Sequence, residues 1–179
     1  MQRIIIIGTT GSGKSTLARK LSDRTNIPFQ SLDALFWKAN WQESCDTEFF
    51  NKIEAFLVNK ESWIIDGNYT RSQHLTWTKA DTIIWLDLPF YLNFYQSLSR
   101  AISRIIHQQE LWEGTGNKES LQRLLSKDSI LIWLFKCFWK NKAKYQLKMS
   151  DPKNQHLQFI RLKSRRDINQ FLKNIDIQQ

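Results

Sequence analysis

Cysteine, proline and glycine are scarce in this chain of 179 residues, which holds two, three and six of them. Cys45 and Cys137 stand far apart with no further cysteine near either, so neither a disulfide framework nor a zinc site is encoded. Both read as reduced thiols, which points to a cytoplasmic protein. With so little proline and glycine there is no low-complexity segment, and no internal repeat is present. Long apolar runs are missing too. The longest, Ile130-Leu131-Ile132-Trp133-Leu134-Phe135, falls far short of the ~20 residues a membrane span requires, so no membrane partner is expected. A secretory leader is not expected either, because an apolar strand begins at Arg3. His74, His107 and His156 are isolated and carry no assigned chemistry.

Aromatic residues, by contrast, are plentiful: there are eight tryptophans, yet the mean hydropathy is negative. Length and composition suit one α/β domain over residues 1–179 with small excursions. Charge is uneven. Residues 1–90 hold ten Lys/Arg against ten Asp/Glu, and residues 91–179 hold 16 against 7, so the net +9 lies in the second half. Such an excess fits contact with nucleic acid or substrate phosphates, or simply a solvated face; no nucleic-acid motif accompanies it.

The most informative stretch is Arg3 to Thr16. Four consecutive isoleucines, Ile4 to Ile7, predict a strand buried on both faces in the middle of a parallel sheet. Gly8-Thr9-Thr10-Gly11-Ser12-Gly13-Lys14-Ser15 then has the spacing of a Walker A loop, and Thr16 leads into a helix whose apolar stripe is Leu17, Ala18 and Leu21. The glycines allow a tight turn whose amides point at phosphate oxygens, and the helix dipole adds to that anion site. Lys14 is placed to reach the β- and γ-phosphates, and the Ser15 hydroxyl to sit on Mg²⁺. The expected ligands are therefore ATP and Mg²⁺.

Strand and helix signals alternate along the rest of the chain. Asn26–Asp33 predicts a second strand ending in an aspartate, and residues 34–61 a substrate-covering insertion with a helix from Asp46 to Lys60. Trp37 and Trp41, four apart, either stack on a planar substrate or belong to the core. Glu61–Tyr69 and Ala80–Pro89 predict strands three and four, closed by Asp66 and Asp87. In such a parallel sheet ligands gather at the carboxyl ends of the strands, so Asp33, Asp66 and Asp87 are expected to face the phosphate loop, one of them holding Mg²⁺. A helix over Phe90–His107 carries Arg100 and Arg104 on one face. Residues 109–118 form a glycine-bearing break, and a long helical region over about 119–148 follows with Arg123 and Lys127. These arginines suit the charge that spreads onto transferring oxygens. Residues 130–139 are apolar nearly all round, which implies core burial or a subunit contact. A fifth strand at His156–Leu162 leads to Lys163, Ser164 and Arg165, expected to wall the base, with Ser164 capping a final helix.

These pieces resemble the nucleotide-kinase branch of P-loop proteins, typified by adenylate kinase. Leu32-Asp33-Ala34-Leu35 with Trp37 and Trp41, Trp63-Ile64-Ile65-Asp66-Gly67-Asn68-Tyr69, and Ala80-Asp81 to Pro89 bring the likeness closer to the adenylate-kinase-related DNA topology modulation (FlaR-like) proteins. The resemblance implies a three-layer P-loop NTPase fold, a five-stranded parallel sheet of order 2-3-1-4-5 with helices on both faces, a lid at about 105–120, and ATP with Mg²⁺. It departs from adenylate kinase at Phe36 and Gln96, where arginines are expected, and at Arg71, which comes one residue late. The expectation is a kinase. Gly8–Thr16 and Lys163–Arg165 bind ATP, Ser15 and Asp66 place the metal, and Lys14, Asp33, Arg100 and Arg104 are catalytic. Asp33, Trp37, Asn68, Tyr69 and Arg71 meet an unidentified small acceptor. The alternative is an ATP-dependent regulator that touches DNA through the basic second half, including Lys140, Lys142, Lys144 and Lys148. Monomer and homodimer stay open.

Overall fold

The computed structural model describes residues 1–127 and 129–176. Its strands are β1 (Arg3–Gly8), β2 (Phe29–Ser31), β3 (Trp63–Asp66), β4 (Thr82–Leu86) and β5 (Gln158–Leu162). All pair in parallel, in the order β2-β3-β1-β4-β5. The helices are α1 (Lys14–Thr25), α2 (Leu32–Phe36), α3 (Asp46–Leu57), α4 (Gln73–Thr76), α5 (Phe90–His107), α6 (Leu121–Leu124), α7 (Ile130–Ser150) and α8 (Arg165–Asp176).

The isoleucine run explains the layers. Side chains alternate across a strand, so Ile4 and Ile6 enter one core with Leu17, Leu21 and Leu172 of α1 and α8. Ile5 and Ile7 enter the other core, with Phe36, Phe49, Ile53 and Tyr145 of α2, α3 and α7. Both faces of β1 are thus dry, as a central parallel strand requires. Register brings Gly8 beside Leu86, and Asp66 beside Ile6 and Ser31, so the loop after β1 and the ends of β3 and β4 share one edge.

Three expectations need correction. The second strand is only Phe29–Ser31; Leu32 starts a helix because Leu32 and Phe36, one turn apart, both bury. Asp33 therefore sits in a helical first turn rather than at a strand end. The helix expected from about 119 begins at Ile130, capped by the Ser129 hydroxyl, after the short α6. Within 130–139 only Leu134 and Phe138 are buried, since a helix packed on one side turns the rest outward.

At the opposite edge of the sheet the Asp81 carboxylate accepts the amides of Gln2 (3.0 Å) and Arg3 (2.8 Å) and the Thr82 hydroxyl (2.6 Å). Burial opposes the charge, but these donors hold the carboxyl below its ordinary value. A depressed folded value stabilises above about pH 4 and is lost as pH falls through the folded value. Asp81→Asn is expected to cost about 1 kcal/mol in urea melts at pH 7. The difference should shrink as the pH drops below 4; an equal cost at both ends would refute the assignment.

Candidate active site

The loop Gly8–Gly13 closes by a bond from Ser12 N to Thr9 O (3.2 Å) and ends at Gly13, whose φ of 90° is left-handed and whose carbonyl accepts from Leu17 N (2.9 Å). Gly11, at φ 74°, lies so near α5 that a Cβ would fall 2.2 Å from Ser97 Oγ and 2.3 Å from Asn93 O. Only glycine lets the loop reach α5. Helix geometry leaves the amides of Lys14, Ser15 and Thr16 without intrahelical acceptors, and they converge with the dipole on one anion site. Thr9 and Ser12 are buried, so their side chains face the protein. Asn68 brackets the loop's start: Gly8 N donates to its Oδ1 (3.1 Å), and its Nδ2 donates to Gly8 O. Its amide holds the loop in place, whereas the sequence suggested contact with an acceptor.

Lys14 curls over the loop and donates to Thr9 O at 3.3 Å. The Ser15 hydroxyl donates to Asp66 Oδ2. Asp66 is 3 % exposed, and its Oδ1 has no hydrogen-bond partner among the described residues. Burial raises its pKa, countered chiefly by Lys14 and by the Ser15 bond. A hydroxyl beside an orphaned carboxylate oxygen at the mouth of an anion cradle supplies the hard oxygen donors Mg²⁺ takes, so these residues fit that ion.

Across the cleft the Tyr69 hydroxyl donates to Asp33 Oδ1 at 2.7 Å. Burial, then the neighbouring Asp33 charge, pushes the Tyr69 pKa up, so the phenol stays a donor. Tyr69 is itself wedged against Phe36 and Phe49, with centroids 4.9 and 5.1 Å away. Arg100 reaches Thr10 Oγ1 at 3.4 Å. Desolvation lowers its pKa, while Asp33, Glu119 and Asp66 pull it back. Desolvation and then Arg100 lower that of Arg104, which Glu119 and Asp33 oppose. Lys14, Asp33, Asp66, Arg100 and Arg104 thus form one electrostatic neighbourhood around the loop. Glu119, 8 % exposed, joins it unforeseen; nothing local marks a glutamate beside Lys118 as buried.

Other expected site residues lie elsewhere. Asp87 accepts from Arg161 Nε (2.9 Å) and Nη2 (2.5 Å), with Lys142 at 3.6 Å, so it anchors β5 and α7 instead of facing the loop. Arg71 pairs with Asp46 at 2.7 Å and lies 4.6 Å over the Phe36 ring. Ser164 and Asp167 cap α8 reciprocally, Asp167 N donating to Ser164 Oγ (3.1 Å) and Ser164 N to Asp167 Oδ2 (3.0 Å), as Ser164 was expected to do. Lys163 and Arg165 are exposed beside it.

Trp37 belongs to an aromatic latch. It stacks on Trp112 (5.8 Å, 14°), and Trp41 meets both edge-on at 6.0 and 5.7 Å. The Arg123 guanidinium lies 3.5 Å over Trp41, which takes it from the phosphate site. Asn117 completes the latch: Trp41 N donates to its Oδ1 (3.0 Å), and its Nδ2 donates to Lys38 O (2.7 Å). The segment 109–124 is strapped across the 34–61 insertion.

No known family model matches the sequence, and no curated protein is similar to it at a significant level. Solved structures do match. A deoxyadenosine kinase from M. mycoides with bound dATP aligns with a TM-score of 0.55 at 14 % identity, over 99 % of this chain and 98 % of that one. A shikimate kinase from Acinetobacter baumannii in complex with shikimate gives 0.56 at 12 %, covering 98 % and 90 %. A shikimate kinase from Aquifex aeolicus gives 0.54 at 18 %, covering 98 % and 94 %. At these identities the likeness establishes the fold, which is that of the P-loop kinases.

Proposed function

We propose that this chain is an ATP-dependent phosphotransferase that moves the γ-phosphoryl group onto a hydroxyl of a small acceptor. The observation that carries the reading is the pairing of Ser15 with Asp66 at the mouth of the Gly8–Thr16 cradle. The amides of Lys14, Ser15 and Thr16 bind the β- and γ-phosphates, and Lys14 leaves Thr9 O for them. Ser15 and Asp66 would hold Mg²⁺, which neutralises the phosphate oxygens when bound. Asp33, oriented by Tyr69, takes the proton of the acceptor hydroxyl as that oxygen attacks phosphorus and ADP departs. Arg100 and Arg104 stabilise the charge spreading over the transferring oxygens, and Glu119 keeps the pair in place. The strap 109–124 acts as the lid and the 34–61 insertion as the acceptor wall, which keeps water out.

Arg71, tied to Asp46, and Phe36, standing where adenylate kinase places an arginine, argue against AMP held in that enzyme's manner. Nucleosides and small polyols or hydroxy acids are the favoured acceptors. The resemblance to the DNA topology modulation proteins rests on the sequence pieces alone, since no family model matches. In the basic second half Arg161, Lys142 and Arg123 are engaged within the protein, so no observation favours the DNA-binding alternative. Both cysteines are free thiols, which supports a cytoplasmic setting. An ATP-consumption screen over nucleosides, nucleotides and small polyols, with and without DNA, tests the proposal. Turnover with a small acceptor is expected, and stimulation by DNA alone would overturn it.

A further inference from the structure

Together α5 and α7 contain seven lysines and arginines and no aspartate or glutamate. They pack through Phe90 and Phe94 against Phe135 and Phe138, with ring centroids 4.9 to 5.8 Å apart. Outside that seam the surface stays apolar. On α5, Tyr91, Tyr95, Ile102 and Ile106 recur at helical spacing and stand exposed, Tyr91 by 73 %. On α7, Ile132, Phe135 and Trp139 continue the patch, Trp139 at 65 % exposure. Lys136 and Lys140, four apart, form the adjoining stripe. Soluble monomers seldom leave so large an apolar face uncovered.

We propose that this face docks the protein onto an anionic membrane surface. Tyrosine and tryptophan rings settle at headgroup level, and lysines border them against acidic lipid phosphates. No described helix is long and apolar enough to cross a membrane, and none needs to: a run too short to span a bilayer can lie on one. The expectation of no membrane partner, drawn from those short runs, concerns spanning and not surface docking. The charge pattern selects this occupant over a second copy, because two such faces would set lysines against lysines without an acid between them. Single-stranded nucleic acid fits less well: Tyr91, Tyr95 and Trp139 offer rings to bases, but the aliphatic Ile102, Ile106 and Ile132 between them match acyl chains and not bases. The phosphate loop touches α5 on the opposite face, at Asn93 and Ser97, so docking leaves the cradle open.

Co-sedimentation of the full chain with phosphatidylcholine vesicles, alone or mixed with phosphatidylglycerol, tests the proposal. Association with the acidic vesicles only, weakening as salt rises, is expected. Lys136→Glu with Lys140→Glu, and separately Phe135→Ser with Trp139→Ser, should each lower the partition coefficient at least about tenfold. Both should melt close to the unchanged protein, because these side chains are mostly exposed. No association with acidic vesicles, or equal association of both double variants, would overturn the proposal. So would a concentration-dependent dimer, or a single-stranded DNA complex, that is lost in the variants while vesicles remain unbound.

Discussion

Lys14→Ala is expected to lower phosphate transfer by about 10³-fold while the fold survives. The magnitude is that of removing a preorganised charge from developing negative charge in a partly closed site. Lys14 makes one hydrogen bond among the described residues, the long one to Thr9 O, and Asp66, whose burial its charge helps offset, keeps the bond from Ser15. The melting temperature should therefore move by no more than about 2 °C. Coupled-assay turnover and a thermal melt on one preparation decide the matter. Retained turnover would remove Lys14 from the chemistry, and a collapsed melt would make its role structural.

Asp33→Asn separates the two halves of the site. Loss of a positioned general base costs about 10²- to 10⁴-fold in turnover. The Tyr69 hydroxyl can still donate to the asparagine carbonyl, so local geometry is kept. ATP affinity should stay nearly unchanged, because the amides of α1 and the Ser15–Asp66 pair lie on the other side of the cleft. Turnover and ATP binding measured together check this. A loss of ATP affinity in step with turnover would move Asp33 to the nucleotide side and refute its acceptor role.

What was legible in the sequence was local and periodic. The Ile4–Ile7 run, the glycine spacing from Gly8 to Gly13 and the apolar stripe of α1 each constrain neighbouring residues, and they stand in the fold as read. The helix Phe90–His107 matches to the residue. Resemblance supplied the strand order. The misreadings arose where a distant partner decided the outcome. Asp87 looked like Asp66 in sequence, but Arg161, 74 positions on, draws it away from the loop. Trp37 and Arg123 admit either a substrate or a structural role in the sequence, and Trp112 and Trp41 engage them. The short apolar signal of residues 26–32 places Asp33 at a strand end, whereas burial of Phe36 turns that end into a helical turn. Glu119 had no sequence signal, since the arginines whose charge it faces, Arg100 and Arg104, come from α5.

The most direct measurement is a crystal structure grown with Mg²⁺ and a non-hydrolysable ATP analogue. The β- and γ-phosphates should lie within hydrogen-bonding reach of the amides of Lys14, Ser15 and Thr16. Lys14 should have left Thr9 O for them, and the metal should touch the Ser15 hydroxyl. A triphosphate bound elsewhere, or Lys14 still on Thr9 O with the cradle closed to the analogue, would contradict the account.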